Sequence, residues 1–456
     1  MGDGATGEQL PRTVVAGYAA GSVSTGGFAT LPGLVLAYYL TDTLGVAALV
    51  ASVVVVVPKL LDVVVNPFIG ARSDVDAAQR GHRRRLMSIG SFALFPLFVL
   101  TFLTPGALSP TWASVWVLVA FSLAAVAYGL FQVPYVALPT DLTADYDQRT
   151  RLVTTRIVVL AATILVVGAG GPAIRDAAGG GRAGYAVMAV VVGAVIFVGM
   201  LVTTFGVAAR ASTLRWGGEP AQATGQWRPG FAALADNRDF RRLLSVFFLQ
   251  ALASAIMLAG AQYVATYVLS SPTALTLMFA ALIAPAILVM PLWARIGRRA
   301  GKLTGLMCSS AVFLVAACAM VIAVWAPGWW IMAPVAAAGI GYAGMQAFPL
   351  ALLPDIISAD AQATGHDRGG AMSGVWTAGE TTGLTLGPGV FLMILACGGF
   401  VSSTAGVTHA QSSSAITAIV IGFSVVPAAL VALSLLTLKH VREPRVREPI
   451  TREVTR

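Results

Sequence analysis

Residues 44–71 read LGVAALVASVVVVVPKLLDVVVNPFIGA, an almost wholly apolar stretch that is long enough to cross a bilayer. Lys59 and Asp62 interrupt it near its middle, and Asn66 follows one helical turn later. A charged side chain at the centre of a membrane helix costs about 2.5–3.5 kcal/mol on insertion scales. The three-residue spacing places Lys59 and Asp62 on one helical face. The pair must therefore face the protein interior or a water-filled cavity, which predicts an ion or substrate path beside this helix.

The composition of the whole chain is that of a membrane protein. Of 456 residues, 57% are apolar and 11% are charged, whereas a soluble protein has roughly 45–50% and about 25%. The length suits about a dozen helices of roughly 20 residues each. We therefore expect an all-α polytopic membrane protein with 12 transmembrane helices, and the lipid bilayer as its surroundings. Cysteines occur only within apolar runs, which argues against a disulfide framework or a metal cluster.

The net charge of +9 follows from the predicted topology. Alternate loops carry nearly all basic residues, which are Arg72, Arg80, Arg83, Arg84, Arg85, Arg149, Arg151, those between Arg210 and Arg242, Arg295, Arg298, Arg299, Lys302 and those of the tail from Lys439. The loops on the opposite side contain only Arg175 and Arg182. This positive-inside bias predicts a multi-pass protein of the cell (plasma) membrane with both termini cytoplasmic. It also accounts for the charge without a nucleic-acid partner.

A polar segment divides the chain nearly in half. The predicted organisation is a cytoplasmic N-terminus at 1–13, a six-helix bundle at 14–210, a cytoplasmic linker at 211–238, a second six-helix bundle at 239–437 and a basic cytoplasmic tail at 438–456. The Gly, Pro and charged residues of the linker are typical of a connection between domains.

The two halves resemble each other in sequence. At a constant offset, Pro, Leu, Pro, Ala and Asp coincide between segments 134–145 and 349–360. Segments 67–72 and 291–295 are also alike, and each precedes a basic loop. Parallel repeats with a binding site at their interface are the plan of the major facilitator fold. Chance similarity between Ala- and Leu-rich helices is the alternative.

Only three charged residues lie well inside the predicted spans, namely Lys59, Asp62 and Glu380. Asp42, at the outer end of the first span, is expected in the membrane interface. Ionised, Asp62 can ligate a cation together with Asn66; because burial favours the neutral carboxyl group, it can instead take up a proton. Lys59 opposes the second option. A static ion pair that merely orders the helix is the further alternative.

Glu380 lies in the polar stretch 375–388, VWTAGETTGLTLGP. No basic residue is near it in the sequence, and a membrane carboxylate without a partner is typical of a proton carrier. The alternative is a glutamate that hydrogen-bonds to a neighbouring helix.

Uncharged amides and aromatic rings inside the spans are candidate contacts for a polyhydroxylated or amphiphilic solute. The principal ones are Gln132, Tyr135, Gln250, Gln262 and Trp376. The alternative is that such groups hold helices together.

The sequence lacks the motifs of common enzyme classes. HExxH, paired CxxC, Walker and GxSxG motifs do not occur in it. This argues against a membrane enzyme and against an ATP-driven pump, and no cofactor is expected. Transport driven by a gradient is the function that remains.

An ordered set of motifs resembles a known family. The motifs are YYLTDTLG at 38–45, KLLDVVVNPFIG at 59–70, PYVAL at 134–138, DYDQRTRLVTTR at 145–156, PDIISAD at 354–360 and the stretch 375–388. Together, from about 14 to 437, they resemble the glycoside–pentoside–hexuronide:cation symporters, a melibiose permease-like family of the major facilitator superfamily. The resemblance implies 12 helices in two six-helix bundles and sugar uptake coupled to Na⁺, Li⁺ or H⁺.

The resemblance also implies a cation site on the second helix. In the family, a basic residue there is followed by two acids one turn apart, which bind the cation. Lys59 and Asp62 match the first two positions, and Asn66 stands in place of the second acid. An uncharged amide attracts Na⁺ less strongly than the carboxylate that it replaces, so Asp62 with Asn66 is only a weak Na⁺ candidate. We expect H⁺ as the coupling ion and predict no other metal site.

The family's sugar contacts are altered too. Gln132 and Val136 replace an Asp and a Trp of the fourth helix, and Gly26 replaces an acid of the first. Thr381 replaces a Lys of the eleventh helix, whereas Arg156 matches the Arg that follows the fourth. Arg156 and Thr381 join the candidate solute contacts, and galactosides are not the expected solute.

These observations lead to one hypothesis and two rivals. We expect a monomeric secondary transporter that binds a sugar or glycoside-like small molecule and works by alternating access, with Glu380 or Asp62 carrying the coupling proton. One rival is a carrier or exporter of an amphiphilic lipid or natural product. The other is a membrane receptor or scaffold that transports nothing.

Overall fold

The computed structural model describes residues 10–143, 145–209, 234–271, 273–365, 369–404 and 409–441. Within these ranges, 12 helices are long and apolar enough to cross a membrane. They are α1 (Arg12–Thr43), α2 (Ala48–Arg80), α3 (Arg84–Phe102), α4 (Pro110–Leu142), α5 (Tyr146–Ala177), α6 (Gly181–Ala208), α7 (Arg238–Val268), α8 (Ala274–Ala300), α9 (Lys302–Val324), α10 (Trp329–Thr364), α11 (Gly369–Cys397) and α12 (Ser413–Leu438). The predicted all-α membrane fold is confirmed.

The helices form two halves that contact each other in a repeated pattern. Helices α1–α6 make up the N-terminal half and α7–α12 the C-terminal half, and the largest contacts inside them pair α3 with α4, α9 with α10 and α7 with α11. Between the halves, α1 packs on α7, α2 on α11 and α5 on α8. In a duplicated bundle α2 corresponds to α8 and α5 to α11, so the α2–α11 and α5–α8 contacts are equivalent to each other. Most of the predicted linker, and most of both terminal segments, lie outside the described residues, so their bounds stay predictions.

Because the number of spans is even, the first and last described residues lie on one side of the bundle. We call this the terminal side, and the opposite side the far side. The short connections after α2, α4, α8 and α10 lie on the terminal side with the basic residues. The connections after α1, α3, α5, α7, α9 and α11 lie on the far side.

The proline-containing repeats occupy equivalent places in the two halves. Pro134 and Pro139 lie inside α4, and Pro349 and Pro354 lie inside α10. Membrane helices tolerate such prolines because neighbouring groups satisfy the freed backbone carbonyls. Both pairs fall toward the terminal end of their helix, which supports the repeat predicted from the sequence.

Two equivalent helices end in the same wide turn on the far side. The last residues of α1, Tyr39–Thr43, and of α7, Val264–Val268, form single π-helical turns. Such turns are rare and frequently occur at functional sites. They rotate the ends of α1 and α7 relative to the preceding α-helix, and both ends take part in contacts between the halves.

Close helix packing inside the C-terminal half depends on Gly339 of α10. A Cβ atom added there would overlap the carbonyl oxygen of Leu282 on α8. We expect Gly339→Val to destabilise the fold by about 3 kcal/mol, because a backbone atom cannot move aside as a flexible side chain can. Thermal melting of the purified protein in detergent measures the loss.

The matched control for this prediction is Gly374→Ala in α11. A Cβ atom at Gly374 would meet no described atom within 4 Å. An unchanged melting temperature in Gly339→Val would contradict the packing.

Candidate solute and cation site

Asp62 and Asn66 of α2 present polar atoms that the described protein leaves unpaired. The Oδ1 atom of each is shielded from solvent and has no hydrogen-bond partner. Among the described residues, no ion pair within 4.0 Å joins Lys59 to Asp62. Lys59 and Asp62 nevertheless lie within electrostatic range of each other. The two oxygens are free to bind an ion, a proton or a solute hydroxyl group.

A glycine of α4 makes room for the amide of Asn66. A Cβ atom at Gly129 would lie 2.6 Å from Asn66 Oδ1. The neighbouring Tyr128 stacks on Phe28 of α1, with ring centroids 4.7 Å apart, and lies within electrostatic range of Asp62. The polar edge of α2 therefore faces α4 and the interior of the N-terminal half. Nothing in the sequence indicated this role of Gly129.

The polar residues of α4 are bonded to α1. Thr25 donates a hydrogen bond to Gln132 Oε1 at 2.9 Å. The Tyr135 hydroxyl lies 2.9 Å from Ser22 Oγ and donates to the Tyr18 carbonyl oxygen, also at 2.9 Å. Tyr135 is fully buried, so its hydroxyl orders the α1–α4 contact and its ring is the part that remains for other interactions.

Arg156 of α5 supplies a cation with an unused donor. Its guanidinium carbon lies 5.2 Å from the centroid of the Tyr135 ring, a cation–π distance. Its Nε atom is shielded from solvent and has no described hydrogen-bond partner. Tyr128 lies within electrostatic range of both Arg156 and Asp62. The structure therefore brings together the predicted residues of α2, α4 and α5.

Glu380, Trp376 and Thr381 lie on α11 in the other half. Glu380 is half-buried, and Tyr342 of α10 lies within electrostatic range of it. The Trp376 ring stacks on Phe247 of α7, with centroids 4.6 Å apart and an angle of 14° between the rings. The Trp376 Nε1 donor has no described partner. This half thus presents a carboxyl group, a free N–H donor and the half-buried Thr381.

The two glutamine candidates on α7 lie elsewhere. Gln250 Nε2 donates to Ser310 of α9 at 2.9 Å and to Ser434 of α12 at 3.3 Å, so its amide holds the C-terminal half together. Gln262, near the far end, accepts a bond from Arg175 of α5 at 2.8 Å, which crosses between the halves. The predicted solute contact of each stays a prediction.

Asp42 lies at the far-side end of α1, and the protein encloses its side chain. It is only 7% exposed and accepts hydrogen bonds from Thr41 and from Tyr267 of α7. The π-helical turn at the end of α1 and the chain after α11 enclose it, since Ser403 N donates to the Thr41 carbonyl oxygen at 2.8 Å. No motif around Asp42 indicates this burial.

The described residues contain no group of three or more His, Cys, Asp or Glu side chains that would hold a metal ion.

Comparisons with known proteins identify the family and the fold of the chain. A family model described as MFS/sugar transport protein matches residues 17–441. The putative glycoside/cation symporter YagG of Escherichia coli (strain K12) is 30% identical over 159 residues, which are 35% of this chain and 34% of that protein. The uncharacterized symporter YjmB of Bacillus subtilis (strain 168) is 29% identical over 141 residues, 30% of each protein. The matches thus span about a third of the length of these curated relatives.

Solved structures share the fold over nearly the whole chain. A D-xylose-proton symporter has a TM-score of 0.69 and 13% identity, and the match covers 96% of this chain and 99% of that one. The nucleoside transporter NupG has a TM-score of 0.63 and 12% identity, with 94% and 100% covered. These relatives and structural neighbours are symporters and transporters rather than enzymes. The family match over residues 17–441 and the fold together show that this chain belongs to the MFS/sugar transport protein family.

Proposed function

We propose that this protein is a secondary transporter that couples movement of a sugar or glycoside-like solute to a proton by alternating access. The observation that carries the proposal is the set of unpaired polar groups on helices of both halves. Asp62, Asn66 and Arg156 supply it from the N-terminal half and Trp376 from the C-terminal half, where Glu380 adds a half-buried carboxyl group. Buried polar atoms without partners are rare in folded proteins, and at such a site they are the groups that a ligand satisfies.

The chemistry of these groups supports a polyhydroxylated solute. Arg156 and Trp376 offer N–H donors to hydroxyl oxygens, and Asp62 and Asn66 offer acceptors to hydroxyl protons. The stacked Trp376 ring provides an apolar face of the kind that small-molecule sites place beside a few polar groups. The names of the relatives, a glycoside/cation symporter and a D-xylose-proton symporter, agree with this solute class.

A proton suits the site better than Na⁺. The cation position on α2 has one carboxylate and one amide, Asp62 and Asn66, which makes a weak Na⁺ site. Glu380 forms no ion pair with any described residue, so its charge is not fixed by a neighbouring cation. A carboxyl group in this setting can take up and release a proton during the cycle.

The contacts between the halves support an alternating-access cycle. The hydrogen bonds that cross between the halves include Arg175–Gln262 and Thr41–Tyr263, both near the far side. Terminal-side ion pairs such as Arg83–Asp141 and Lys302–Asp355 stay within one half. We propose that the terminal side is cytoplasmic and that the protein works as a monomer in the plasma membrane. The conformation with the far side closed by these bonds would then have its solute path open to the cytoplasm.

A binding screen followed by flux measurements tests the proposal. The purified protein is melted in the presence of monosaccharides, glycosides and amphiphiles; a ligand at 100 times its Kd stabilises the folded state by about 2.7 kcal/mol. The stabilising compound is then assayed in proteoliposomes under a pH gradient or a Na⁺ gradient. We expect a sugar or glycoside to bind and its uptake to follow the pH gradient alone.

Other outcomes would overturn parts of the proposal. Stabilisation only by lipids or other amphiphiles would favour the rival carrier. Accumulation that follows a Na⁺ gradient at fixed pH would refute proton coupling. Binding without any flux or counterflow would indicate a receptor.

A further inference from the structure

Four of the residues that join the two halves on the far side form one hydrogen-bonded cluster. Thr41 and Asp42 belong to the π-helical turn that ends α1, and Tyr263 and Tyr267 belong to the end of α7. We call this cluster the far-side junction. It lies apart from the unpaired groups of α2, α5 and α11, and the proposal above assigns it neither a proton nor a solute.

Two hydrogen bonds of the far-side junction end on one carboxylate, that of Asp42. Thr41 Oγ1 donates to Asp42 Oδ2 at 2.5 Å, and the Tyr267 hydroxyl donates to Asp42 Oδ1. The Tyr263 hydroxyl lies 2.7 Å from Thr41 Oγ1. Because a threonine hydroxyl has one proton and Thr41 gives it to Asp42, Tyr263 is the donor in that contact. Tyr263 and Tyr267 thus direct their protons from one half toward Asp42 in the other.

The charged groups around the junction leave Asp42 without a cationic partner. A far-side cavity of about 750 Å³ borders it, and the other ionisable groups that line this cavity are Tyr38, Arg175, Asp176, Tyr185, Tyr267 and His409. The Arg175 guanidinium is used by Asp176 at 2.7 Å and by Gln262 at 2.8 Å. Among the described residues, no ion pair reaches Asp42. The Asp42 carboxylate is therefore bonded to hydroxyl donors, and the cavity connects it to the far-side surface.

We infer that Asp42 is a proton-binding site at which a proton from the far side releases the junction between the two halves. An ionised carboxylate accepts both bonds, and charge-assisted hydrogen bonds are about twice as strong as neutral ones. A carboxyl group that has gained a proton keeps one good acceptor oxygen, and its O–H must find an acceptor of its own. Protonation therefore weakens the bonds from Thr41 and Tyr267 together, and the far side can open.

This inference deepens the proposed transport function, because it supplies the step that opens the far side. Its test does not depend on the identity of the solute or on flux. If no sugar is transported but the junction still responds to pH as described, the inference stands and only the proposed solute or coupling fails.

Distances between spin labels on the far side measure the junction directly. The labels are placed at Ala107, in the connection after α3, and at Ala326, in the connection after α9, both of which are exposed. The background replaces the native cysteines Cys308, Cys318 and Cys397 by serine. In alkaline buffer we expect one short distance between the labels, and in acidic buffer an added population at longer distance.

The variant Asp42→Asn imitates the protonated carboxyl group. We expect its long-distance population to exceed that of the parent in alkaline buffer by about tenfold, since a charge-assisted bond is lost, and to be insensitive to pH. Tyr267→Phe removes one hydrogen-bond donor and keeps the ring, so it should also increase the long-distance population. It serves as the second variant if Asp42→Asn does not fold.

Two controls change neighbouring ionisable groups and leave Asp42 in place. Asp176→Asn removes a carboxylate that lines the same cavity but is bonded to Arg175 in its own helix. His409→Gln removes an imidazole at the rim. Both should keep the pH response. A response that survives Asp42→Asn, or one that disappears in His409→Gln, would overturn the inference.

Discussion

Replacing Glu380 by glutamine is expected to abolish uphill accumulation of the solute under a pH gradient while leaving solute exchange intact. Glutamine keeps the size and hydrogen-bonding shape of the side chain but cannot release a proton. With one proton per solute, a gradient of about one pH unit supports roughly tenfold accumulation, and the variant should equilibrate at no accumulation. Uptake into proteoliposomes under an imposed pH gradient, compared with counterflow at equal pH, measures the two properties.

The control for this prediction keeps the carboxyl group. Glu380→Asp should retain proton-driven uptake at a reduced rate, because the shorter side chain moves the carboxyl away from Tyr342. Thr382→Ala, whose hydroxyl bonds the Ala378 carbonyl oxygen of its own helix, should behave like the parent. Undiminished uphill uptake in Glu380→Gln would assign the proton to another residue, and a loss of counterflow as well would indicate that Glu380 binds the solute.

The helices and their arrangement could be predicted because the membrane leaves few alternatives. A spanning segment must satisfy its own backbone, so a long apolar run such as 48–80 has to be helical. The charges of α2 and α11 stood out against this background for the same reason. The proline repeat of α4 and α10 then indicated the duplicated architecture, which the contacts of α2 with α11 and of α5 with α8 reproduce.

The partners of individual polar residues could not be predicted in this way. Gln250 and Gln262 are both buried amides of α7, yet one is bonded inside its half and the other across to Arg175. Helical periodicity gives the face of a residue, but not which distant helix covers that face. Asp42 shows the same limit: its burial depends on residues such as Ser403, more than 350 positions away in the chain.

Replacing Arg156 by glutamine is expected to weaken solute binding by roughly 10- to 150-fold, the range that a lost hydrogen bond from a charged group implies. The buried Nε donor of Arg156 has no described protein partner, so its contribution is available to a ligand. The fold should persist, because the bonds from Tyr135 to Ser22 and Tyr18 do not involve the arginine. Equilibrium binding of the stabilising solute to the purified variant, together with its melting temperature without solute, measures both effects.

Arg151 provides the matched control on the same helix. It lies at the terminal end of α5, five residues before Arg156, and is also half-buried. Arg151→Gln changes the net charge by the same amount, so a general electrostatic effect on binding would appear in both variants, whereas a direct contact would appear only in Arg156→Gln. Arg156→Lys separates charge from geometry, since lysine restores the charge without the planar donor fork. If the planar guanidinium group of Arg156 holds the solute, Arg156→Lys should recover little of the lost affinity. If Arg156→Gln binds the solute as tightly as the parent protein does, the solute does not contact this part of α5.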